Sequence, residues 1–271
     1  MERKSITYHN KIISYGLGGG GTAVILLHGF GEDSSVWQEQ AAYLEKYFLV
    51  ITPDIPGSGR SELIENMSME SIADTINAIA DAEELDQLVL IGHSMGGYAT
   101  LAFAEKYTNR LRGLGLFHST ASADSEDKKT ARRKSIEFIK KHGPDTFLDA
   151  QPAHLFAAET QENHPELIRS FRKSYIPFSK DALVAYYEAM IERPDRSSIL
   201  SNRKVPVLFV LGKSDNLIPL EPTLELAALP HISVVEILKK SGHMGMLEEP
   251  EESNRILNDF LSDIAIRERM M

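Results

Sequence analysis

Cysteine is absent from the 271 residues of the chain. This absence excludes disulfide bridges, a catalytic thiolate, iron–sulfur clusters and zinc sites built on cysteine. Long apolar runs are also lacking, since no stretch approaches the ~20 residues that a membrane-spanning helix needs. The residues after Met1 are polar and carry no apolar segment of the kind found in secretory signal peptides. We therefore expect a cytoplasmic protein that does not interact with membranes.

Positive charge is scarce relative to negative charge. The chain has 29 basic and 39 acidic residues, which gives a formal net charge of −10. Nucleic acid is therefore not expected as a partner, because phosphate contacts need clusters of basic side chains. Hydrophobic residues make up 42% of the chain, which is ordinary for a globular protein that buries a large core. Composition says nothing about activity, which has to be read from motifs.

Strand and helix patterns alternate along most of the chain. The β-rich runs 5–8 and 11–15 flank His9-Asn10, which predicts a hairpin. The apolar run 23–27 is typical of a strand buried on both faces. Further strands are predicted at 48–51, 88–91, 114–117, 207–211 and 234–238, and helices at 35–46, 68–83, 98–106, 221–228 and 253–266. The first helix is expected to begin with a capping box of Ser35 and Gln38. This alternation favours an α/β fold with a mostly parallel sheet and helices on both faces.

The stretch 121–201 interrupts the alternation. It has no convincing strand pattern, but helical patterns occur at 128–141, 165–175 and 181–192. Structureless connections rarely exceed about 15 residues. We therefore predict a helical cap at 121–201, inserted into a core domain made of 1–120 and 202–271. Its basic stretch, Lys128 to Lys134, follows acidic residues and is interpreted as a solvated helix face and not as an anion site.

The clearest motif is Gly92-His93-Ser94-Met95-Gly96-Gly97, which follows a predicted strand and precedes a helix. That context is the one required of a G-x-S-x-G nucleophile elbow, a sharp strand-to-helix turn. Glycine two positions from the serine leaves room for this turn. The turn places Ser94 at the positive end of the following helix, which favours developing negative charge. Ser94 is therefore the candidate nucleophile.

A serine hydroxyl needs a base that takes its proton. Among the nine histidines, His243 lies just beyond the last predicted strand, at the end of the sheet where open α/β proteins place their sites. His118 also follows a strand and is the main alternative. The other histidines lie in turns, in the insertion or beside glycine-rich loops. His243 is the candidate base.

The base in turn needs a carboxylate that orients it. Asp215 directly follows the predicted strand 207–211 and is the candidate acid. Asp124, which lies farther beyond the end of strand 114–117, is the alternative. The chain order Ser94, Asp215, His243 is the one expected of an α/β-hydrolase triad.

Acyl transfer also needs backbone N–H groups that stabilise an oxyanion. The candidate donors are the N–H of Met95, directly after the nucleophile, and the N–H of Phe30, in the glycine-rich loop 28–31 after an early strand. The alternative for this loop is a phosphate-binding turn. The phosphate-loop pattern G-x-x-x-x-G-K-[S/T] and an opening G-x-G-x-x-G are both absent.

Five stretches together resemble the α/β-hydrolase superfamily, in the branch that carries a helical cap after strand six. They are 26–31 (LLHGFG), 53–61 (PDIPGSGRS), 92–97 (GHSMGG), 212–215 (GKSD) and 241–244 (SGHM). The resemblance implies an eight-stranded sheet and a serine hydrolase that needs no cofactor and no metal. Haloalkane dehalogenases and epoxide hydrolases of this branch carry aspartate where Ser94 stands, so the resemblance disfavours both.

The expected function is hydrolysis of a small carboxylic ester or lactone through an acyl-enzyme. The alternatives are C–C bond hydrolysis or cofactor-free peracid formation with the same triad, and a non-enzymatic ligand sensor on a hydrolase scaffold. C–C hydrolases of dienone acids commonly carry asparagine where His93 stands. The substrate stays open, and two or three of seven apolar residues in the insertion are expected to face it: Phe147, Leu155, Phe156, Tyr175, Phe178, Tyr186 and Met190.

Overall fold

An eight-stranded sheet forms the centre of the computed structural model, which describes residues 1–150, 152–174, 178–202 and 205–269. The strands are β1 (Glu2–Tyr8), β2 (Lys11–Gly18), β3 (Ala23–Leu27), β4 (Leu49–Pro53), β5 (Leu88–His93), β6 (Leu111–Phe117), β7 (Val207–Gly212) and β8 (Ser233–Leu238). Their order in the sheet is β1-β2-β4-β3-β5-β6-β7-β8. Strands β1 to β2 and β2 to β4 pair antiparallel, and the other neighbours pair parallel. The predicted α/β fold with a mostly parallel sheet is confirmed.

The N-terminal hairpin is longer than predicted. Its turn residues His9 and Asn10 have φ of 48° and 60°, and a two-residue turn with both φ positive matches the twist of the flanking strands. The hairpin register runs from Tyr8 opposite Lys11 out to Glu2 opposite Leu17. Strand β2 also pairs with β4 on its other side. Pairing with β4 therefore extends β2 beyond the run 11–15 that the sequence pattern predicts.

Helices cover both faces of the sheet. One face carries α2 (Met69–Ala82) and α3 (Met95–Lys106), and the other carries α1 (Gln38–Leu44) and α13 (Pro250–Arg269). Short helices α11 (Leu220–Ala227) and α12 (Gly245–Glu248) follow β7 and β8. Alternate side chains of β3 belong to opposite apolar clusters, with Ile25 on one side and Leu26 on the other. The apolar run therefore reflects burial of β3 on both faces.

Two helices begin at residues other than those predicted. Asp33, not Ser35, caps the first helical segment, since its carboxylate accepts the Ser35 backbone N–H at 2.8 Å. A short 3-10 turn (Ser34–Trp37) then precedes α1. The predicted capping box is therefore wrong. Helix α3 begins at Met95, three residues earlier than predicted, because the chain turns into the helix directly after Ser94.

Seven helices fill the described part of the chain between β6 and β7, and no strand occurs there. They are α4 (Glu126–His142), α5 (Pro144–Ala150), α6 (Pro152–Leu155), α7 (Ala158–Asn163), α8 (Pro165–Ser174), α9 (Lys180–Glu192) and α10 (Ser197–Ser201). Gly143, with φ of 87°, separates α4 from α5. Division of the chain into a cap at 121–201 and a core stays a prediction. Across the described ranges, no helix is both long and apolar enough to traverse a lipid bilayer.

Candidate active site

Ser94 sits at a tight turn between β5 and α3. Its φ of 49° and ψ of −115° are strained for a residue with a side chain. Nearby glycines allow the turn, because a Cβ on Gly92 would lie 2.2 Å from the Gly96 backbone. A Cβ on Gly96 would in turn lie 2.6 Å from the His28 carbonyl oxygen. The sequence pattern therefore produces the strand–turn–helix geometry of a nucleophile elbow, with Ser94 at its apex.

Asp215 and His243 meet at the carboxyl end of the sheet. The His243 Nδ1 donates to Asp215 Oδ2 at 2.8 Å. Asp215 Oδ1 is held separately, because it accepts the backbone N–H groups of Leu217 and Ile218 at 2.8 and 3.0 Å. The backbone N–H of His243 donates to the Leu155 carbonyl at 2.7 Å. His243 and Ser94 line one cavity of about 240 Å³.

Charge on Asp215 is stabilised by its two imidazole neighbours. Burial by itself would raise the pKa of this carboxyl, but His243 and His118 lower it well below its usual range. Asp215 is therefore ionised at neutral pH. An ionised acceptor fixes the proton of His243 on Nδ1, which leaves Nε2 unprotonated in the neutral ring.

His118, the alternative base, lies behind Asp215 and away from the cavity lining. Its Nδ1 donates to the same Asp215 Oδ2 at 3.1 Å, and its side chain is fully buried. Burial lowers the pKa of His118 to about 4, although the hydrogen bond to Asp215 opposes this shift. The ring is therefore neutral at pH 7. Its Nε2 has no hydrogen-bond partner among the described residues.

Replacing His118 with a residue that does not titrate is expected to reduce the loss of folding stability between pH 6.5 and pH 4. The unfolded chain takes up a proton near pH 6.5, whereas folded His118 does so only near pH 4. His118 therefore contributes stability above pH 6.5 that is lost as pH falls towards 4, by about 3 kcal/mol. His118→Asn keeps a donor to Asp215 and suits the φ of 47°. Urea unfolding at several pH values between 6.5 and 4 should show a smaller pH slope in the variant; an unchanged slope contradicts the assignment.

A second buried pair, missed by sequence reasoning, joins three parts of the site. Glu32 Oε2 accepts the Gly29 backbone N–H at 2.8 Å and lies 3.0 Å from His93 Nδ1. The other ring nitrogen of His93 donates to the His243 carbonyl at 2.9 Å. Burial by itself would favour the neutral form of both groups. Their attraction and hydrogen bond outweigh it, so that the pKa of Glu32 is lowered and the pKa of His93 is raised. The charged pair therefore links the Phe30 loop, the elbow and the loop of His243.

Met95 and Phe30 carry the backbone N–H groups that are predicted to form an oxyanion site. Met95 is the first residue of α3, where backbone N–H groups have no partner within the helix. Phe30 lies in the loop that Glu32 holds, and its side chain lines the cavity. The ring packs against Tyr187 with centroids 4.4 Å apart. The catalytic role of these N–H groups stays a prediction.

The insertion supplies much of the cavity wall. Of its seven candidate apolar residues, Leu155 and Met190 line the cavity. Phe147, Phe156, Phe178 and Tyr186 are buried elsewhere in the packing, and Tyr175 lies outside the described residues. Tyr98 and Tyr187 also line the cavity and were not predicted.

One face of α4 contributes four lining residues: Lys128, Ala131, Arg132 and Ser135. Their spacing of three, four and seven residues places them on one side of the helix. Arg133 and Lys134 are exposed, as predicted. Lys128 is exposed as well, although its side chain borders the cavity, whereas Arg132 is half-buried. The interpretation of the basic stretch as a solvated face is therefore wrong for Arg132.

Asp124, the alternative acid, is engaged elsewhere. Its carboxylate accepts from Arg193 at 2.9 Å and from Arg132 at 2.5 Å. These two guanidinium groups lower its pKa against the opposing effect of burial. The structure therefore brings Asp215, and not Asp124, to His243.

His118, Asp215 and His243 also bring three metal-ligating atoms within 4.8 Å of one another. Both imidazole Nδ1 atoms carry protons directed at the carboxylate. A cation at this point would have to displace both protons. Hydrogen bonding alone accounts for the cluster.

Comparison with known proteins places this geometry in a family. The family described as the alpha/beta hydrolase fold matches residues 22–250. An esterase structure from Thermogutta terrifontis, solved with malate bound, is 31% identical, with a TM-score of 0.92 and coverage of 98% of this chain and 100% of that one. A protein from Agrobacterium fabrum, provisionally named the carbamate hydrolase RutD, is 29% identical over 88% of this chain and 92% of its own length. A 2-hydroxy-6-oxo-2,4-heptadienoate hydrolase from Pseudomonas putida is 28% identical, with 90% of each covered. The chain belongs to the α/β-hydrolase family and is related throughout its fold to hydrolytic enzymes.

Proposed function

We propose that the protein is a serine hydrolase that cleaves a small carboxylic ester or lactone through an acyl-enzyme. The observation that carries this proposal is the 2.8 Å hydrogen bond from His243 to Asp215, with His243 and Ser94 on the wall of one cavity. An oriented imidazole that shares a cavity with a serine at an elbow is the arrangement that activates a hydroxyl. The esterase from Thermogutta terrifontis, at 31% identity, adds support.

In the proposed reaction, Ser94 Oγ attacks the substrate carbonyl carbon while its proton passes to His243 Nε2. The N–H groups of Phe30 and Met95 stabilise the resulting oxyanion. The tetrahedral intermediate collapses, and His243 returns the proton to the departing alkoxide. A water molecule, deprotonated by His243, then releases the acyl group from Ser94 as a carboxylic acid.

Protein groups around the triad would hold this geometry through both half-reactions. Asp215 stabilises the imidazolium that forms when His243 takes a proton. The Glu32–His93 pair holds the carbonyl of His243 and, through Gly29, the loop that carries Phe30. Fixed donors and acceptors of this kind need no rearrangement as charge develops.

Cleavage of C–C bonds is the second candidate. It is favoured by the relative from Pseudomonas putida, which is named as a hydrolase of a dienone acid. His93 argues against it, because this chain has histidine where C–C hydrolases commonly carry asparagine. A panel of purified esters, lactones and dienone acids separates the two, since faster dienone cleavage would reverse their order.

Covalent labelling tests the proposed nucleophile directly. Diethyl p-nitrophenyl phosphate should react once per chain, release p-nitrophenol and leave a diethylphosphoryl group on Ser94. Peptide mass spectrometry locates the group. The His243→Ala variant should react at least ~100-fold more slowly, because the serine has lost its base. Labelling at another residue, or equal labelling rates with and without His243, would contradict the proposal.

A further inference from the structure

We infer that Lys128 and Arg132 form an anion subsite in the Ser94 cavity, so that the substrate is an ester or lactone that also carries a carboxylate. This inference rests on the proposed function and narrows its substrate class. The subsite lies on the face of α4 that lines the cavity opposite the sheet, together with Ala131 and Ser135.

Lys128 has no acidic partner. In the part of the chain that the structure describes, its Nζ makes one hydrogen bond, to the Leu217 carbonyl at 3.1 Å. No carboxylate there lies within ion-pair distance of it. Partial burial lowers the pKa of the ammonium, Asp124 and Asp215 oppose this shift, and the charges of Arg132 and Arg193 reinforce it. An ammonium with two donor directions left and no counter-ion is suited to bind an anionic ligand group.

Arg132 is only partly neutralised. Its Nε and one terminal nitrogen donate to the two oxygens of Asp124, but Asp124 is shared with the buried guanidinium of Arg193. One carboxylate therefore faces two guanidinium groups, and Lys128 adds a third positive charge. Glu32, the acidic residue among the lining residues, is paired with His93. The basic side of the cavity keeps an excess of positive charge, which a substrate carboxylate would offset.

Size and apolar lining restrict the substrate further. The cavity has a volume of about 240 Å³, which is below the roughly 300–1,000 Å³ of pockets that hold drug-sized ligands. Apolar side chains, among them Leu155, Met190 and Ile218, line the same cavity. A short hydrocarbon chain between the reacting carbonyl and the carboxylate fits this arrangement. Monoesters of small dicarboxylic acids, and lactones that carry a carboxylate, belong to this class.

A matched pair of substrates tests the subsite. Monomethyl glutarate carries the carboxylate, and methyl 5-amino-5-oxopentanoate replaces it with a neutral amide of the same shape. Hydrolysis of both is followed by pH-stat titration. We expect kcat/KM to favour the anionic ester by about tenfold, since a hydrogen bond to a charged group is worth about that factor.

Substitutions on α4 locate the effect. Lys128→Gln is expected to lower the anionic-to-neutral ratio about tenfold, and Lys128→Arg to restore most of it. Lys134→Gln removes the same charge from the same helix at a position that does not line the cavity. Its ratio should stay within about twofold of the wild-type value, because salt screens a charge that does not contact the substrate.

The outcomes separate this inference from the proposed function. A wild-type ratio near one, or equal losses in Lys128→Gln and Lys134→Gln, overturns the anion subsite while ester hydrolysis stands. If neither ester is hydrolysed, binding of glutarate is measured by thermal shift. If glutarate stabilises the wild-type protein more than Lys128→Gln, the anion subsite is supported without any turnover. If glutarate stabilises both proteins equally, the subsite is overturned.

Discussion

Ser94→Ala is expected to lower kcat on a small ester by at least about four orders of magnitude. The acyl-enzyme cannot form without Oγ, and no other hydroxyl occupies the apex of the elbow. The fold should survive, because Ser94 Oγ makes no hydrogen bond to another described residue and the elbow depends on its glycines. The measurement is a steady-state assay with p-nitrophenyl acetate or butyrate, together with a thermal melt of both proteins.

Ser119→Ala is the matched control for this variant. The Ser119 hydroxyl donates to the Ser94 carbonyl at 2.7 Å, so it supports the elbow from the adjacent strand end. Removing it costs one hydrogen bond, and the loss of activity should stay within about tenfold. If Ser94→Ala keeps wild-type turnover, or if Ser119→Ala is equally inactive, then Ser94 is not the nucleophile.

Much of the fold could be predicted because burial leaves a local signature. Strand β3 is apolar throughout since both of its faces are covered. The spacing of Ile72, Ile76 and Ile79 places all three on the buried face of α2. The residues of the candidate triad stand out for a related reason. Each follows a strand that the sequence pattern predicts, and the carboxyl ends of parallel strands meet at one edge of a sheet.

Other features depend on contacts between distant segments and leave no local pattern. Glu32 reaches His93 across 61 positions of the chain. His118 and His243 approach the same oxygen of Asp215 from different strand ends. The places of Lys128 and Arg132 on the cavity wall could not be predicted, because their helix is rich in charge and sequence alone does not say which face of such a helix meets the cavity.

Asp215→Asn is expected to lower kcat about 10⁴-fold at neutral pH with little change in structure. Asp215 Oδ1 accepts two backbone N–H groups, so the single oxygen of asparagine must take that place. The amide nitrogen then faces the two imidazoles that now donate to Oδ2. The amide N–H groups of asparagine are donors and cannot accept a hydrogen bond from either imidazole N–H. His243 must therefore release its Nδ1 proton and carry a proton on Nε2, where it can no longer accept one from Ser94.

Asp124→Asn separates this effect from the general cost of altering a buried aspartate. Asp124 is held by Arg193 and Arg132, so losing its charge should destabilise the fold by about 3 kcal/mol or more. The folded fraction should nevertheless keep a triad, and its kcat should fall far less than that of Asp215→Asn. Proton NMR adds an independent measurement, because the low-field Nδ1–H resonance of His243 should vanish in Asp215→Asn and persist in Asp124→Asn. Should Asp215→Asn keep both this resonance and its activity, another group must orient His243, and the tautomer argument is wrong.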